Sequence, residues 1–260
     1  MTLNQLYTQL YLEFEEFFGK DSAFGNLFQL SSSDSKSVDF DYLTQVSSVF
    51  SSKIEGNSLD LNSYFNQSQL VTKSKEFTEI FDLSQAYNLA RTKTLTKTFA
   101  LTESNLLKAH KIATKSFLES FQSGHYRTNP VGVFGVSELV YMAVESELVK
   151  EEMQKLLAEI KVISKQKLTI CETIFYAGLI HLKIAQIHPF IDGNGRIARL
   201  IEKWFLAGLI GDKVWNKQPE KYIFENKSKY YNSINLGLDY YNLDYSKANT
   251  FLQLIAQSYL

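Results

Sequence analysis

Apolar positions recur at the helical interval along most of this chain. Leu3, Leu6, Tyr7, Leu10, Phe14, Phe17 and Phe18 form one stripe over 3–18, the spacing of a helix that buries a single face. The polar run Ser31 to Ser37 reads as a loop. Val46, Val49, Phe50 and Ile54 predict a second helix, with Gly56 placed just past its end. Further helices are predicted over 76–95, with Phe77, Ile80, Phe81 and Tyr87 inward, and over 102–118, with Leu106, Leu107, Ala109, His110 and Ala113 inward. After Gly124-His125-Tyr126-Arg127 the pattern becomes extended. Val131-Gly132-Val133-Phe134-Gly135, bounded by Pro130, predicts a short β-hairpin whose exposed edge can pair with another chain. Val149, Met153, Leu156, Leu157, Ile160 and Ile163 restore the helical spacing. Residues 168–187 are apolar nearly all round, apart from a stripe of Thr169, Glu172, Tyr176 and Lys183, and are expected at the centre of a bundle. Helices over 197–210, about 219–238 and 245–259 complete an all-α fold with one small hairpin and no internal repeat.

Composition narrows the function classes. The 260 residues are 45% hydrophobic and 21% charged, enough for one large or two closely packed domains. A net charge of −1 and a pI near 6.4 give no long-range attraction for nucleic acid or an anionic membrane, so any partner must be recognised locally. The single cysteine, Cys171, excludes a disulfide within this chain and reads as a small core residue. Met1 to Lys20 has acidic residues and no basic leader region, which excludes a signal peptide, and no 18-residue apolar run for a membrane span is expected. The expectation is therefore a cytoplasmic protein.

The chemistry is concentrated in His188-Pro189-Phe190-Ile191-Asp192-Gly193-Asn194-Gly195-Arg196-Ile197-Ala198-Arg199, a loop that opens a helix. Pro189 disfavours the α conformation at His188, so the preceding helix is expected to end near Ile187 with the imidazole at its end. Gly193 and Gly195 allow positive φ and a nest of N–H groups facing an anion. Arg196 and Arg199, three apart, lie on one helical face and can reach the same anion. Asp192 is one carboxylate, sufficient for Mg²⁺ when phosphates and water supply the other ligands. Neutral His188 can act as a base. His110 and His181 read most simply as core or boundary residues, and His125 as a loop residue.

This run is similar, position for position, to the signature His-Pro-Phe-x-(Asp/Glu)-Gly-Asn-Gly-Arg-x-x-Arg of Fic (filamentation induced by cAMP) proteins. The resemblance implies an enzyme that moves the AMP of ATP onto a hydroxyl of a protein, this chain's own included, with Mg²⁺ as cofactor. It implies His188 as the base, Asp192 as the Mg²⁺ ligand, and Gly193, Asn194 and Gly195 as the phosphate cradle. Arg196 would contact the β-phosphate and Arg199 clamp the γ-phosphate, while Phe190 anchors the loop in the core. Gly195 stands where a lysine would point to phosphotransfer. Tyr230 and Tyr231 resemble the family's tyrosine pair near the adenine, although paired tyrosines on a helix also serve simple packing.

Ser51-Ser52-Lys53-Ile54-Glu55-Gly56 resembles the family's inhibitory motif (Ser/Thr)-x-x-x-Glu-(Gly/Asn). By that resemblance Glu55 pairs with Arg199 and leaves ATP badly aimed, with Ser51 and Gly56 as the motif's other fixed positions. A carboxylate at a helix C-terminus calls for a cation on independent grounds. Val131, Gly132, Val133 and Phe134 resemble the flap that aligns the target beside the nucleotide. The expected organisation is an N-terminal helical region, 1–75, carrying the inhibitory motif, and a Fic core, 76–260. Three other functions stay open: removal of AMP, with Glu55 positioning water and His188 as acid; a nucleotide-responsive binding module without turnover; and transfer of UMP or phosphocholine. The target's identity and a homo-oligomeric state are left open.

Overall fold

The computed structural model describes residues 1–18, 39–68, 72–95, 101–134 and 138–260. The Ser31 to Ser37 loop and Gly135 lie outside them. In chain order the helices are α1 (Leu3–Phe18), α2 (Phe40–Ile54), α3 (Leu61–Ser68), α4 (Lys75–Thr94) and α5 (Glu103–Ala113). Strands β1 (Gly132–Phe134) and β2 (Leu139–Met142) follow. Then come α6 (Ser146–Ile163), α7 (Ile170–Ile187), α8 (Asn194–Ile210), α9 (Pro219–Glu225), α10 (Lys227–Ile234) and α11 (Ala248–Gln257). The all-α class with one small antiparallel hairpin holds.

The helices begin where side chains can satisfy free backbone N–H groups. Asp39, Ser74 and Thr102 accept from the N–H groups of Tyr42, Phe77 and Asn105, and Thr169 forms a reciprocal capping box with Glu172. The α2 helix stops at Gly56, whose φ of +99° costs glycine no Cβ clash.

At the centre α7 pairs with α8, and α1, α6 and α11 pack around α7. By length and apolarity α7 could cross a membrane, contrary to the expectation that no such run exists, but 83% of it is buried inside the protein. Two residues of its polar stripe are buried with the rest, as expected of a central helix. Tyr176 is buried, with its ring stacked on Tyr7 of α1, and Lys183 is buried against Tyr245. A smaller core of Val49, Tyr64, Phe77 and Ile80 joins α2, α3 and α4.

Five other expectations change. Phe17 and Phe81, expected inward, are 54% and 45% exposed. The helix at 102–118 ends at Ala113, giving way to turns through Gly124. The stretch 219–238 is two helices divided at Asn226. The helix expected to begin at 197 begins at Asn194, because Gly193, with φ +84°, makes the turn early. Periodicity registers only the apolar positions that start at Ile197, whereas the first turn is set by the backbone.

Candidate active site

His188 follows directly on α7. Its backbone is left-handed, φ 51° and ψ 59°, the only positive φ at a non-glycine among the described residues. Pro189 does keep His188 out of the α region, though the outcome is a left-handed cap rather than extended backbone. The imidazole Nδ1 lies 3.3 Å from the Ala185 carbonyl oxygen. A carbonyl only accepts, so Nδ1 carries the hydrogen and Nε2 keeps its lone pair. Burial pushes the His188 pKa down, the Arg127 charge adds to this, and the Ala185 bond and the Glu55 and Asp192 charges oppose it; the net direction is down. The ring is therefore held in the form that can take a proton.

The turn after His188 is locked from below. Phe190 is fully buried and stacks on His110, ring centroids 3.7 Å apart. Burying a phenylalanine side chain is worth about 1.5–3 kcal/mol. His110 accepts the Gly124 N–H at Nδ1, 2.9 Å, and donates from Nε2 to the Asp192 carbonyl, 3.0 Å. Asn194 closes the same loop, its side chain donating to Phe190 O at 2.8 Å and accepting from Phe190 N–H at 2.9 Å. Its side chain is therefore a clip, and only its backbone N–H is free to face a ligand.

Gly193 and Gly195 serve different purposes. Gly193 carries the positive φ, and a Cβ there would press on Thr114. Gly195, expected to share that conformation, is an ordinary residue of the first turn of α8. Its missing side chain makes room for Glu55, since a Cβ at Gly195 would collide with the Glu55 carboxylate. Among the described residues no side chain caps this N-terminus. A helix N-terminus left this way presents N–H groups and a partial positive charge to an anion.

Arg196 and Arg199 do not converge here. Arg199 is 1% exposed; it donates to Ser51 Oγ and Ser51 O, each at 2.9 Å, and to Glu55 Oε1 at 2.6 Å. Arg196 instead lies over the Phe117 ring, 4.5 Å to its centroid, with Nη2 3.8 Å from Glu79. Its Nε and Nη1 are buried without a hydrogen-bond partner among the described residues. Leaving such donors unsatisfied is costly, and a phosphate is the kind of acceptor that would remove the cost. Glu55 is pushed up by partial burial, but the Arg199 guanidinium more than offsets this and holds the carboxyl below the usual carboxylate range.

Asp192 is exposed, and its Oδ1 accepts from Gly193 N–H at 2.5 Å. No cluster of three potential metal ligands occurs among the described residues, so a cation here would draw its other ligands from phosphate and water. One exposed carboxylate beside an anion-binding helix end fits Mg²⁺ on those terms.

A cavity of about 480 Å³ is lined by Glu55, His188, Asn194, Gly195, Tyr230 and Tyr231, and by Val133 and Phe134 of the hairpin. Tyr230 is buried, with its hydroxyl 2.9 Å from His181 Nε2 and 3.5 Å from Arg199 Nη1. Tyr231 donates to the Ile54 carbonyl at 3.0 Å and so latches the end of α2. The hairpin offers fewer open edges than expected, because Met142 of β2 bonds to the backbone of Leu238 and Tyr240. The outer edge of β1 carries no backbone hydrogen bond among the described residues.

Residues 100–206 match the model of the Fic/DOC family. Over these residues the chain is similar to the Fic/DOC family. It is 27% identical over 158 residues to the protein adenylyltransferase Fic of Nematostella vectensis, 58% of this chain and 34% of that one. It is also 27% identical over 124 residues to the Drosophila erecta protein of the same name, 47% of this chain and 23% of that one. The chain thus spans about a third or less of these relatives. In fold it is similar to a Fic family protein from Desulfovibrio desulfuricans, with TM-score 0.68 and 19% identity, over 98% of this chain and 71% of that one. A Fic domain containing signaling protein from Bacteroides thetaiotaomicron gives 0.67 and 21%, over 97% and 95%.

Arg127 is the site residue that helical periodicity and motif spacing both pass over. Its guanidinium reaches the backbone of His188 from 61 residues away. One signal was available: the chain has only four arginines, and Arg127 is one of the three at this site.

Proposed function

We propose that this chain is a protein adenylyltransferase, autoinhibited by Glu55, that transfers AMP from ATP to a Tyr, Thr or Ser hydroxyl of a protein, this chain's own included. One observation carries the reading. The start of α8, which no side chain caps among the described residues, lies on the same turn as a histidine whose Nδ1 is engaged and whose Nε2 therefore keeps its lone pair, and Arg196 in that turn keeps two buried donors with no partner among the described residues. The adenylyltransferase names of the relatives support it.

On this reading the target hydroxyl gives its proton to His188 Nε2 while its oxygen attacks the α-phosphorus. The bond from that phosphorus to the bridging oxygen breaks, and pyrophosphate leaves. The N–H groups at Asn194 and Gly195, with Arg196 on the β-phosphate, would answer the charge that develops on the phosphate oxygens, while the Gly193 N–H is already held by Asp192 Oδ1; preorganised donors of this kind are worth about 10²–10³ in rate each. Asp192 would hold Mg²⁺, which when bound supplies charge neutralisation on the phosphates. Tyr230 and Tyr231 wall the nucleotide, and the open edge of β1 aligns the target. Arg199 clamps the γ-phosphate once Glu55 withdraws. The core of this machinery runs from 76 to 260, and the region 1–75 supplies the inhibitory helix.

A second reading draws on Glu55 itself, which is 27% exposed and shares the cavity with His188. There it could position a water that removes AMP from a modified protein.

The test incubates Glu55→Gly and Glu55→Gly/His188→Ala with ATP labelled on the α-phosphate and a cell lysate. Protein labelling by Glu55→Gly is expected well above wild type, and none by the double variant. Labelling no higher than wild type sinks the proposal, and labelling by the double variant removes His188 as the base. Release of AMP from the labelled product by wild type but not by Glu55→Gly favours the second reading.

A further inference from the structure

We infer that Arg127 is the positioning residue for the candidate base: its guanidinium fixes the left-handed turn at His188 and ties it to the foot of the β-hairpin, so that imidazole and hairpin are set as one unit. The catalytic part of this inference rests on the function proposed above.

The last carbonyls of any helix lack partners within it. At the end of α7 those carbonyls include that of Ile187, followed by that of the cap residue His188, and Arg127 answers both, donating from Nε to His188 O at 2.7 Å and from Nη2 to Ile187 O at 3.3 Å. The same Nη2 donates to Val144 O at 2.5 Å, just past β2, and Nη1 donates to Asn129 O at 3.0 Å, just before β1. The backbone N–H of Arg127 donates to Pro189 O at 2.9 Å. Five bonds thus join one residue to both ends of the hairpin and to three consecutive residues of the catalytic turn.

A left-handed conformation at a residue with a Cβ is unfavourable and persists only where its surroundings over-determine it. Arg127 supplies that constraint directly on the His188 peptide. It is 4% exposed, and its positive charge sits at the negative end of the α7 dipole. A lysine would keep the charge but not the planar fork that reaches several carbonyls at once. An ordinary packing arginine would not direct four side-chain hydrogen bonds to backbone atoms of the turn and the hairpin. Because Val133 and Phe134 line the cavity that His188 enters, loosening Arg127 should misalign the base and the hairpin together.

The experiment places Arg127→Gln and Arg127→Lys in the Glu55→Gly background. Selective ¹³C and ¹⁵N labelling of the chain's four histidines reads the His188 backbone through its Cα and Cβ shifts. Steady-state kinetics read AMP transfer. The expected result is loss of the positive-φ signature at His188 and a fall in kcat of about 10²-fold, the scale of a misplacement near 1 Å. KM for ATP should change by less than about threefold, because the phosphate donors stay in place. An unchanged His188 signal, or a kcat within about twofold of the parent, overturns the proposal. If Arg127→Gln does not fold, Arg127→Lys decides by the same two readouts, and failure of both to fold makes Arg127 a general fold residue and also overturns it. If Glu55→Gly itself transfers nothing, the proposed function fails, and the His188 signal alone decides for or against Arg127.

Discussion

Glu55 and Arg199 stand 144 residues apart in the chain, and Arg199 Nη2 donates to Glu55 Oε1 at 2.6 Å. The pair closes the C-terminal end of α2 onto the first turns of α8, with Ser51, one helical turn back, accepting from Nε and Nη2 of the same guanidinium. Three hydrogen bonds thus tie one edge of this guanidinium to the end of α2.

The first prediction grades that restraint. Ser51→Ala removes one acceptor of a buried charged donor and leaves the Glu55 bond in place, at a cost of about 1–3 kcal/mol. Labelling of protein by α-labelled ATP should rise in the order wild type, Ser51→Ala, Glu55→Gly. Equal labelling by all three would separate the Glu55–Arg199 pair from inhibition.

The second concerns the space above Gly195. Gly195→Ala places a methyl group where the Glu55 carboxylate lies, and overpacking of this kind typically costs about 1–3 kcal/mol. The obstacle is the end of a side chain, so the cost should largely vanish in the Glu55→Gly background. A double-mutant cycle of urea unfolding measures this coupling, and a cost that persists without Glu55 would mean that the glycine is needed for another reason.

The third concerns acid. Burial pushes His110 down to about 4, whereas an unfolded histidine titrates near ~6.5. Between those values the unfolded chain binds a proton that the folded ring does not, so stability should fall as the pH drops from about 6.5 to about 4, by about 3 kcal/mol from this residue. His110→Gln should be less stable than wild type at pH 7 but lose less on going to pH 4.5. Urea melts at both pH values give the difference, and parallel losses in the two proteins would sink this assignment.

Much of this protein was legible in one dimension. A helix buries a stripe at a fixed interval, so α1, α2, α4, α6 and α7 could be read directly, and so could the ends that depend on one residue, such as Gly56 and Pro189. The turn from His188 to Arg199 was legible because its groups are adjacent, and adjacency in sequence guarantees proximity. The errors fell where position in space decides: Phe81 faces outward and Gly195 is helical.

What only the tertiary structure decided are the partners supplied from far along the chain. His110 under Phe190, Arg127 on the His188 carbonyl, Tyr231 on Ile54 and the separate directions of Arg196 and Arg199 come from helices and loops brought together by burial of a common core. Burial depends on apolar surface and is indifferent to which polar atoms it leaves opposite one another. The local pattern therefore set the elements and the chemical groups they carry, and the packing of α2, α5 and α10 around α7 and α8 chose which of those groups meet.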